Sequence, residues 1–569
     1  EDIADMKTAD SLPGEFPYVR GTKDNNSWHV RQDIEVDDFK SANAKALDIL
    51  NKGVDALGFS IRRNDLTKEN LATLLEGICP ESVELNFMTC PTGALTLLNL
   101  FTDYLKEKKI DLAKVHGSLN MDYVRPIMKR GKVKTEWVDQ MVAAVGAAGE
   151  LPFFKILAVN AYLFNDAGSF ITQELGYALA WGNELLSRLA DAGVNPMVAA
   201  QKIKFNFGIS SNYFMEIAKF RAARWLWAEI VKAYAPANEK PEHASNAAKM
   251  NIFARTSCFN QTIYDAHVNM LRTQTEAMSA TIAGVDSLLI SPFDATFKTP
   301  DDFSERIARN QQLLLKEECH FDKVVDPSGG SYYIETLTQS IAQEAWKLFL
   351  DAEEKGFYEM VTKGEVQQAV NASADKRFKS LAQRREILLG TNQYPNFSET
   401  AAGKIVREGC SCGCEAKENS EITLLNEKRL GEEFESLRLT TERSGKEVKA
   451  FMLTIGNLAM RLARSQFSSN FLACAGYKVM DNLGFDTVEQ GVEAARKAGA
   501  DIIVLCSSDD EYATFAPEAY ELTKGKEIFI VAGAPANMDE LKAMGIEYFI
   551  NVRSNVLEIL QDLNTKLGI

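Results

Sequence analysis

Between residues 56 and 355, short apolar runs alternate with longer stretches whose apolar residues recur every three or four positions. The runs are ALGFSI (56–61), SVELNFMTC (82–90), KVHGSLNM (114–121), FFKILAVNAY (153–162), KIKFNFGIS (202–210), KMNIFARTSC (249–258), SLLISPFD (287–294) and KVVDPSGGSYYIE (323–335). They have strand length, while segments such as PTGALTLLNLFTDYLKEKK and TQELGYALAWGNELLSRLADAG between them carry a helical period. Eight strands, each followed by a helix, predict an α/β fold: an eight-stranded parallel (β/α)8 barrel of TIM type over residues 31–389. The span exceeds the ~250 residues typical of such barrels, so insertions or extra helices are expected. Within it, DPSGGSYYIE reads as a tight turn at the barrel mouth.

Two stretches lack any period. Residues 1–30, with PGEFPYVRGTKDNNSW, read as an extended arm that needs another surface to order it. Residues 390–446 read as a long linker wrapping between domains. Beyond them alternation resumes in EVKAFMLTIG (447–456), GYKVMDNLG (476–484), DIIVLCSS (501–508), EIFIVAGA (527–534) and YFINV (548–552), separated by helical segments such as VEQGVEAARKAG. Five strands in βαβ order predict a doubly wound, flavodoxin-like sheet over 447–569. Ligands of such sheets sit at the carboxyl ends of strands, here the loops after residues 456, 508 and 533.

Composition narrows the function. The 569 residues are 46% hydrophobic and 25% charged, enough for two or three cores. A net charge of −16 excludes a broad basic face for nucleic acid. No apolar stretch has the length of a membrane span, and the first residues show no signal-peptide core. Nine scattered cysteines suit reduced, mostly buried thiols in a cytoplasmic protein. Cys410, Cys412 and Cys414 form a CxCxC run in linker sequence that reads as an exposed thiol cluster rather than a metal site, and the five histidines form no ligand pair. Arg20, Arg31, Arg221, Arg224 and Arg272 could meet phosphates or simply face carboxylates on helices. No GxGxxG after a strand, GxxxxGK[ST] or GxSxG occurs. Read alone, the residues contain no complete catalytic constellation.

Four stretches resemble adenosylcobalamin-dependent methylmalonyl-CoA mutases: RQDIEV after Trp28, EIAKFRAARWLWAEI (216–230), the 254–289 segment beginning ARTSCFNQT, and VDPSGGSYYIETLT (325–338). The resemblance covers nearly the whole chain and implies the same order, a barrel followed by a cobalamin-type domain. Active chains of the family carry a DxHxxG loop whose histidine ligates cobalt, oriented by the aspartate. Here those positions are Leu458, Met460 and Ala463. The family's Gly-Gly near the last strands is Ala532-Gly533, and one added methyl against a tightly held nucleotide tail would cost about 1–3 kcal/mol. The catalytic histidine of the family's GYHMQEAG segment is Leu163, and the TMYxxRPW wedge is reduced to TKDNNS between Gly21 and Trp28.

The resemblance therefore implies a degenerate small subunit with no catalytic or cofactor-binding residues of its own. Its partner would be the large, alpha subunit of a heterodimer that holds the adenosylcobalamin and interconverts methylmalonyl-CoA and succinyl-CoA. An independently active or CoA-ester-binding homologue is the alternative. Leu458 and Met460 are expected to pack on a helix against the domain's own core and fill the tail groove.

Overall fold

The computed structural model describes residues 6, 11–134, 136–236, 239–405 and 421–569. Eight parallel strands close into a ring: β1 (His29–Glu35), β2 (Ala56–Ser60), β3 (Glu84–Met88), β4 (Gly117–Met121), β5 (Phe154–Val159), β6 (Ile203–Ile209), β7 (Ile252–Thr256) and β8 (Ser287–Leu289). Neighbours in sequence are neighbours in space, and β1 meets β8 through His29↔Ser287 and Val30↔Leu288. This is the (β/α)8 barrel the alternation predicts, with one member exchanged. KVVDPSGGSYYIE is no strand: Asp326 has a φ of 44° and the helix Tyr332–Lys355 begins inside the run. Its place in the ring belongs to β1, HVRQDIE, whose polar residues hide it from an apolar count.

The turn at Asp326 also lies away from the mouth. Asp326 accepts from Arg20 at 3.0 Å and from Arg221 at 3.1 Å, and Arg221 sits in the middle of the helix Tyr213–Ala233 on the barrel's outside. The Tyr332–Lys355 helix covers both that helix and the helix Ile171–Asp191. The extra layer explains why most of FRAARWLWAE, Arg221 and Arg224 included, is buried although it carries charges. Arg221 pairs with Asp326 and with Glu335 at 2.8 Å, and Lys219 pairs with Glu174 at 2.8 Å and Glu216 at 2.6 Å. Buried charges persist only when paired in this way.

The described residues 11–30 of the arm pack on this chain. Tyr18, Val19 and Trp28 are buried, and the Tyr18 hydroxyl donates to the Ser245 carbonyl at 2.8 Å. The described part of 390–446 likewise contains regular structure. The helix Glu432–Arg443 places Phe434 and Leu437 in a core shared with Phe259, Leu381 and Leu388. Cys410, Cys412 and Cys414 lie outside the described residues. Of the other thiols Cys474 and Cys506 are buried, but Cys79, Cys90 and Cys319 are exposed, so the expectation of mostly buried thiols fails. Those three follow helices or strand ends, where an apolar neighbour in sequence does not mean a covered position.

The second sheet comprises β9 (Lys449–Thr454), β10 (Lys478–Met480), β11 (Ile502–Cys506), β12 (Ile528–Val531) and β13 (Tyr548–Phe549), all parallel, in the order β10-β9-β11-β12-β13. Alternate residues serve two cores. Met452, Val504 and Ile530 face Phe434 and Leu560, while Leu453, Leu505 and Val531 face Val492, Ala516 and Leu541. Because β9 has β10 on one side and β11 on the other, the chain reverses direction between them and leaves a crevice at their carboxyl ends. No described helix is long and apolar enough to cross a membrane.

Candidate functional site

Two places could hold a ligand in this architecture, the barrel axis and the crevice of the second sheet. Polar side chains, not branched apolar ones, fill the axis. The Lys204 ammonium on β6 donates to Glu84 Oε1 at 3.0 Å and Asn86 Oδ1 at 2.9 Å. Burial alone would raise the Glu84 carboxyl, but Lys204 and His29 outweigh it and hold Glu84 at about 2. On β1, Arg31 bonds Asp33 at 2.6 Å and lies over the Phe253 ring at 4.2 Å. Gly58 on β2 makes this possible, since a Cβ there would fall 1.9 Å from Asp33 Oδ1.

Nearer the mouth, Asn160 donates to Asn120 Oδ1 at 2.9 Å and to Asp122 Oδ2 at 2.6 Å, and accepts from Asn206 at 2.7 Å. Arg255 bonds Asp166 at 2.7 Å and stacks on Tyr162 at 4.2 Å. Burial opposes the Arg255 charge, but Asp166 outweighs it and raises the group further. Beside it, burial and Asp166 push the Cys258 thiol up to about 11, so it stays protonated. About 50 Å³ of free space remains among these side chains. That admits a few waters, each needing about 10–15 Å³ for its centre, whereas small-molecule sites run to ~300 Å³ and more.

At the crevice, the helix Leu458–Ala473 starts directly after Gly456 because the Asn457 side chain caps it, accepting from Met460 N at 3.1 Å. Glu511, at the start of the helix Tyr512–Thr523, folds back over the ends of β9 and β11. Its carboxylate accepts from the Ser507 hydroxyl at 2.6 Å, the Ser508 hydroxyl at 2.6 Å, the Ser508 amide at 3.2 Å and the Asn457 amide at 3.1 Å. The two hydroxyls above all hold this carboxyl at about 2. A Cβ at Gly456, whose φ is +77°, would lie 2.4 Å from that carboxylate. Arg461 closes one side through the carbonyls of Gly456 (3.4 Å) and Leu483 (2.9 Å), and Arg464 reaches Asp509 at 3.0 Å. Tyr512, fully buried, fills the floor and donates to the Ala532 carbonyl at 2.6 Å.

Residues 54–437 match the methylmalonyl-CoA mutase family. The chain belongs to that family. It is 58% identical, over 100% of its own length and 91% of the relative's, to the methylmalonyl-CoA mutase small subunit of Porphyromonas gingivalis. A protein of the same description from Streptomyces virginiae is 30% identical over 94% of this chain and 86% of its own. The methylmalonyl-CoA mutase of Cereibacter sphaeroides is 31% identical over 69% of this chain and 59% of its own.

Against the methylmalonyl-CoA mutase pattern, each altered position can be located. Leu163 sits in the short helix Tyr162–Asp166, 3% exposed, within the barrel's apolar core. Leu458, Met460 and Ala463 do lie on a helix, but the expected inward packing is wrong for Leu458. That residue is 60% exposed, Ala463 is exposed and Met460 is half-buried. The buried face of this helix falls on Ser465, Ser468 and Leu472, and helical phase then turns its first two turns to solvent. The Ala532 methyl does not crowd the crevice either. The two-residue strand period points it into the core with Cys506 and Ile530. Glu511, Arg461, Arg464 and Tyr512 close the crevice instead. For Glu511 and Tyr512 the strand-end loop SSDDEY is the sequence signal, and it does not reveal that Glu511 folds back; Arg461 and Arg464 lie on the helix Leu458–Ala473. The five arginines considered for phosphate all have internal partners, Arg272 with Thr262, Asn269 and the Leu389 carbonyl.

Proposed function

We propose that this chain is the small, non-catalytic subunit of a heterodimeric methylmalonyl-CoA mutase. It supports a large subunit that binds adenosylcobalamin and carries out the radical interconversion of methylmalonyl-CoA and succinyl-CoA. The observation that carries the reading is the barrel axis. Lys204–Glu84, Arg31–Asp33 and Arg255–Asp166 occupy the path an acyl-CoA would need and leave about 50 Å³. The same packing speaks against a CoA-ester-binding module.

The residues at the second sheet do not fit adenosylcobalamin. A cobalt ligand at Met460 would be a half-buried thioether with no orienting partner at Leu458, and Glu511 sets a negative charge at the carboxyl ends of β9 and β11. We read residues 447–569 as a degenerate flavodoxin-like domain of the cobalamin-binding type, residues 31–389 as the mutase barrel, and the cytoplasm as the compartment. Equilibrium dialysis of the isolated chain against adenosylcobalamin, followed by corrin absorbance, tests the reading. No binding is expected, and micromolar binding would overturn it. Made together with a large subunit, the chain should raise that subunit's yield or stability.

A further inference from the structure

Four donors converge at the carboxyl ends of β9 and β11: the hydroxyls of Ser507 and Ser508 and the backbone amides of Asn457 and Ser508. Ser507 is fully buried and Gly456 leaves space for an oxygen against the backbone, so the cradle is set by the sheet itself. Such convergent N–H and O–H groups bind oxyanions, and charge-assisted bonds of this kind are the short ones, as the two of 2.6 Å here are. Arg461 stands beside the cradle with its guanidinium on two carbonyls and no carboxylate partner among the described residues.

We propose that this cradle is an oxyanion site and that Glu511 is its built-in occupant, excluding external phosphate and carboxylate groups. A carboxylate held beside its own site by the fold competes as a pre-oriented intramolecular group, at an effective concentration far above the millimolar of a flexible tether, so free anions at cellular levels do not displace it. Closure of the second sheet then resides in one charged side chain more than in the apolar residues of the 458–473 helix. The inference rests on the reading of that edge as closed. The two are tested separately, because cobalamin binding by the wild-type chain would overturn the non-catalytic reading whatever phosphate does.

The experiment uses the full chain and inorganic phosphate, followed by titration calorimetry and by the thermal midpoint at constant ionic strength. Glu511→Ala should bind phosphate at least ~10-fold more tightly than wild type, and Glu511→Ala with Ser508→Ala should lose most of that gain. Acetate should raise the thermal midpoint of Glu511→Ala more than chloride does, with no such difference in wild type. A folded Glu511→Ala chain that binds phosphate no better than wild type overturns the proposal. If the alanine variant does not fold, carbon-13 NMR of the Glu511 carboxyl decides. Titration near 2 in wild type, moving upward in Ser508→Ala, supports the cradle; ordinary titration near 4.5 in both overturns it.

Discussion

Arg224 donates its Nε proton to the carbonyl oxygen of Tyr18 at 3.1 Å, inside the barrel's own helical layer. The same guanidinium reaches the carbonyls of Ala283 at 2.7 Å and Val19 at 3.3 Å, and burial lowers it to about 10. One side chain thus ties the stretch before β1 to two outer helices. Arg224→Met keeps the bulk but leaves three buried carbonyls short of a donor. It should cost about 2–4 kcal/mol in urea unfolding and make residues 11–28 susceptible to protease.

The buried triad of Lys219, Glu174 and Glu216 predicts a rescue. Lys219→Met strands two carboxylates that are completely inaccessible, and should destabilise by about 3–5 kcal/mol. Adding Glu174→Gln and Glu216→Gln should return most of the loss. The amide oxygens can still accept from Gly208 N, Ser210 N and the Ser210 hydroxyl without a buried charge. Unfolding midpoints of the single and triple variants check this.

Glu353 sets a pH dependence. Burial pushes its carboxyl up to about 7, despite the bond donated by Asn183 at 2.5 Å. A carboxyl raised in the folded state contributes full stability below its ordinary value of 4.5 and loses it as pH rises through about 7. Glu353→Gln should therefore match wild type near pH 4 and exceed it at pH 8. The gain should be about 1 kcal/mol once partial solvent exposure is allowed for. Equal stability profiles of the two chains from pH 4 to pH 8 would refute the assignment.

Gly58→Ala probes the filled axis. Its methyl would strike Asp33 Oδ1 at 1.9 Å, so the Arg31–Asp33 pair must move or break. A loss of about 2–3 kcal/mol is expected in chemical denaturation, the usual range for overpacking. A neutral result would mean that the barrel interior has slack.

Restoring the family residues should not restore the reaction. A chain with Leu163→His, Leu458→Asp, Met460→His and Ala463→Gly should remain inactive in a coupled mutase assay. Lys204, Arg31 and Arg255 would still occupy the axis and Glu511 the crevice. Constellations that act as a unit return little when partly rebuilt. Turnover by this variant alone would show that the lost residues overlie a competent enzyme.

The two-sheet architecture was legible because alternation and helical period are properties of local sequence, and DIIVLC or EIFIVAGA can hardly be anything but buried parallel strands. β1 was not, since its inward residues Arg31 and Asp33 are polar in a barrel whose axis is filled by ion pairs. KVVDPSGGSYYIE imitated a strand through its apolar ends. That Leu163 offers no hydrogen-bonding group follows from residue type alone and needs no structure. The orientation of Leu458 and the return of Glu511 depend on helix phase and on a loop's path, and neither is written in residue type.

The seam between β1 and β8 has a meaning for synthesis. His29 and Val30 leave the ribosome long before Ser287 and Leu288, yet they are each other's lateral partners. Contacts so distant in sequence form late, after the entropy of closing the whole loop has been met. Until then β1 presents one unsatisfied edge, the kind of edge on which unrelated nascent chains pair. The charges along HVRQDIE, which hid this strand from an apolar count, are also what makes such an edge a poor template for its neighbours.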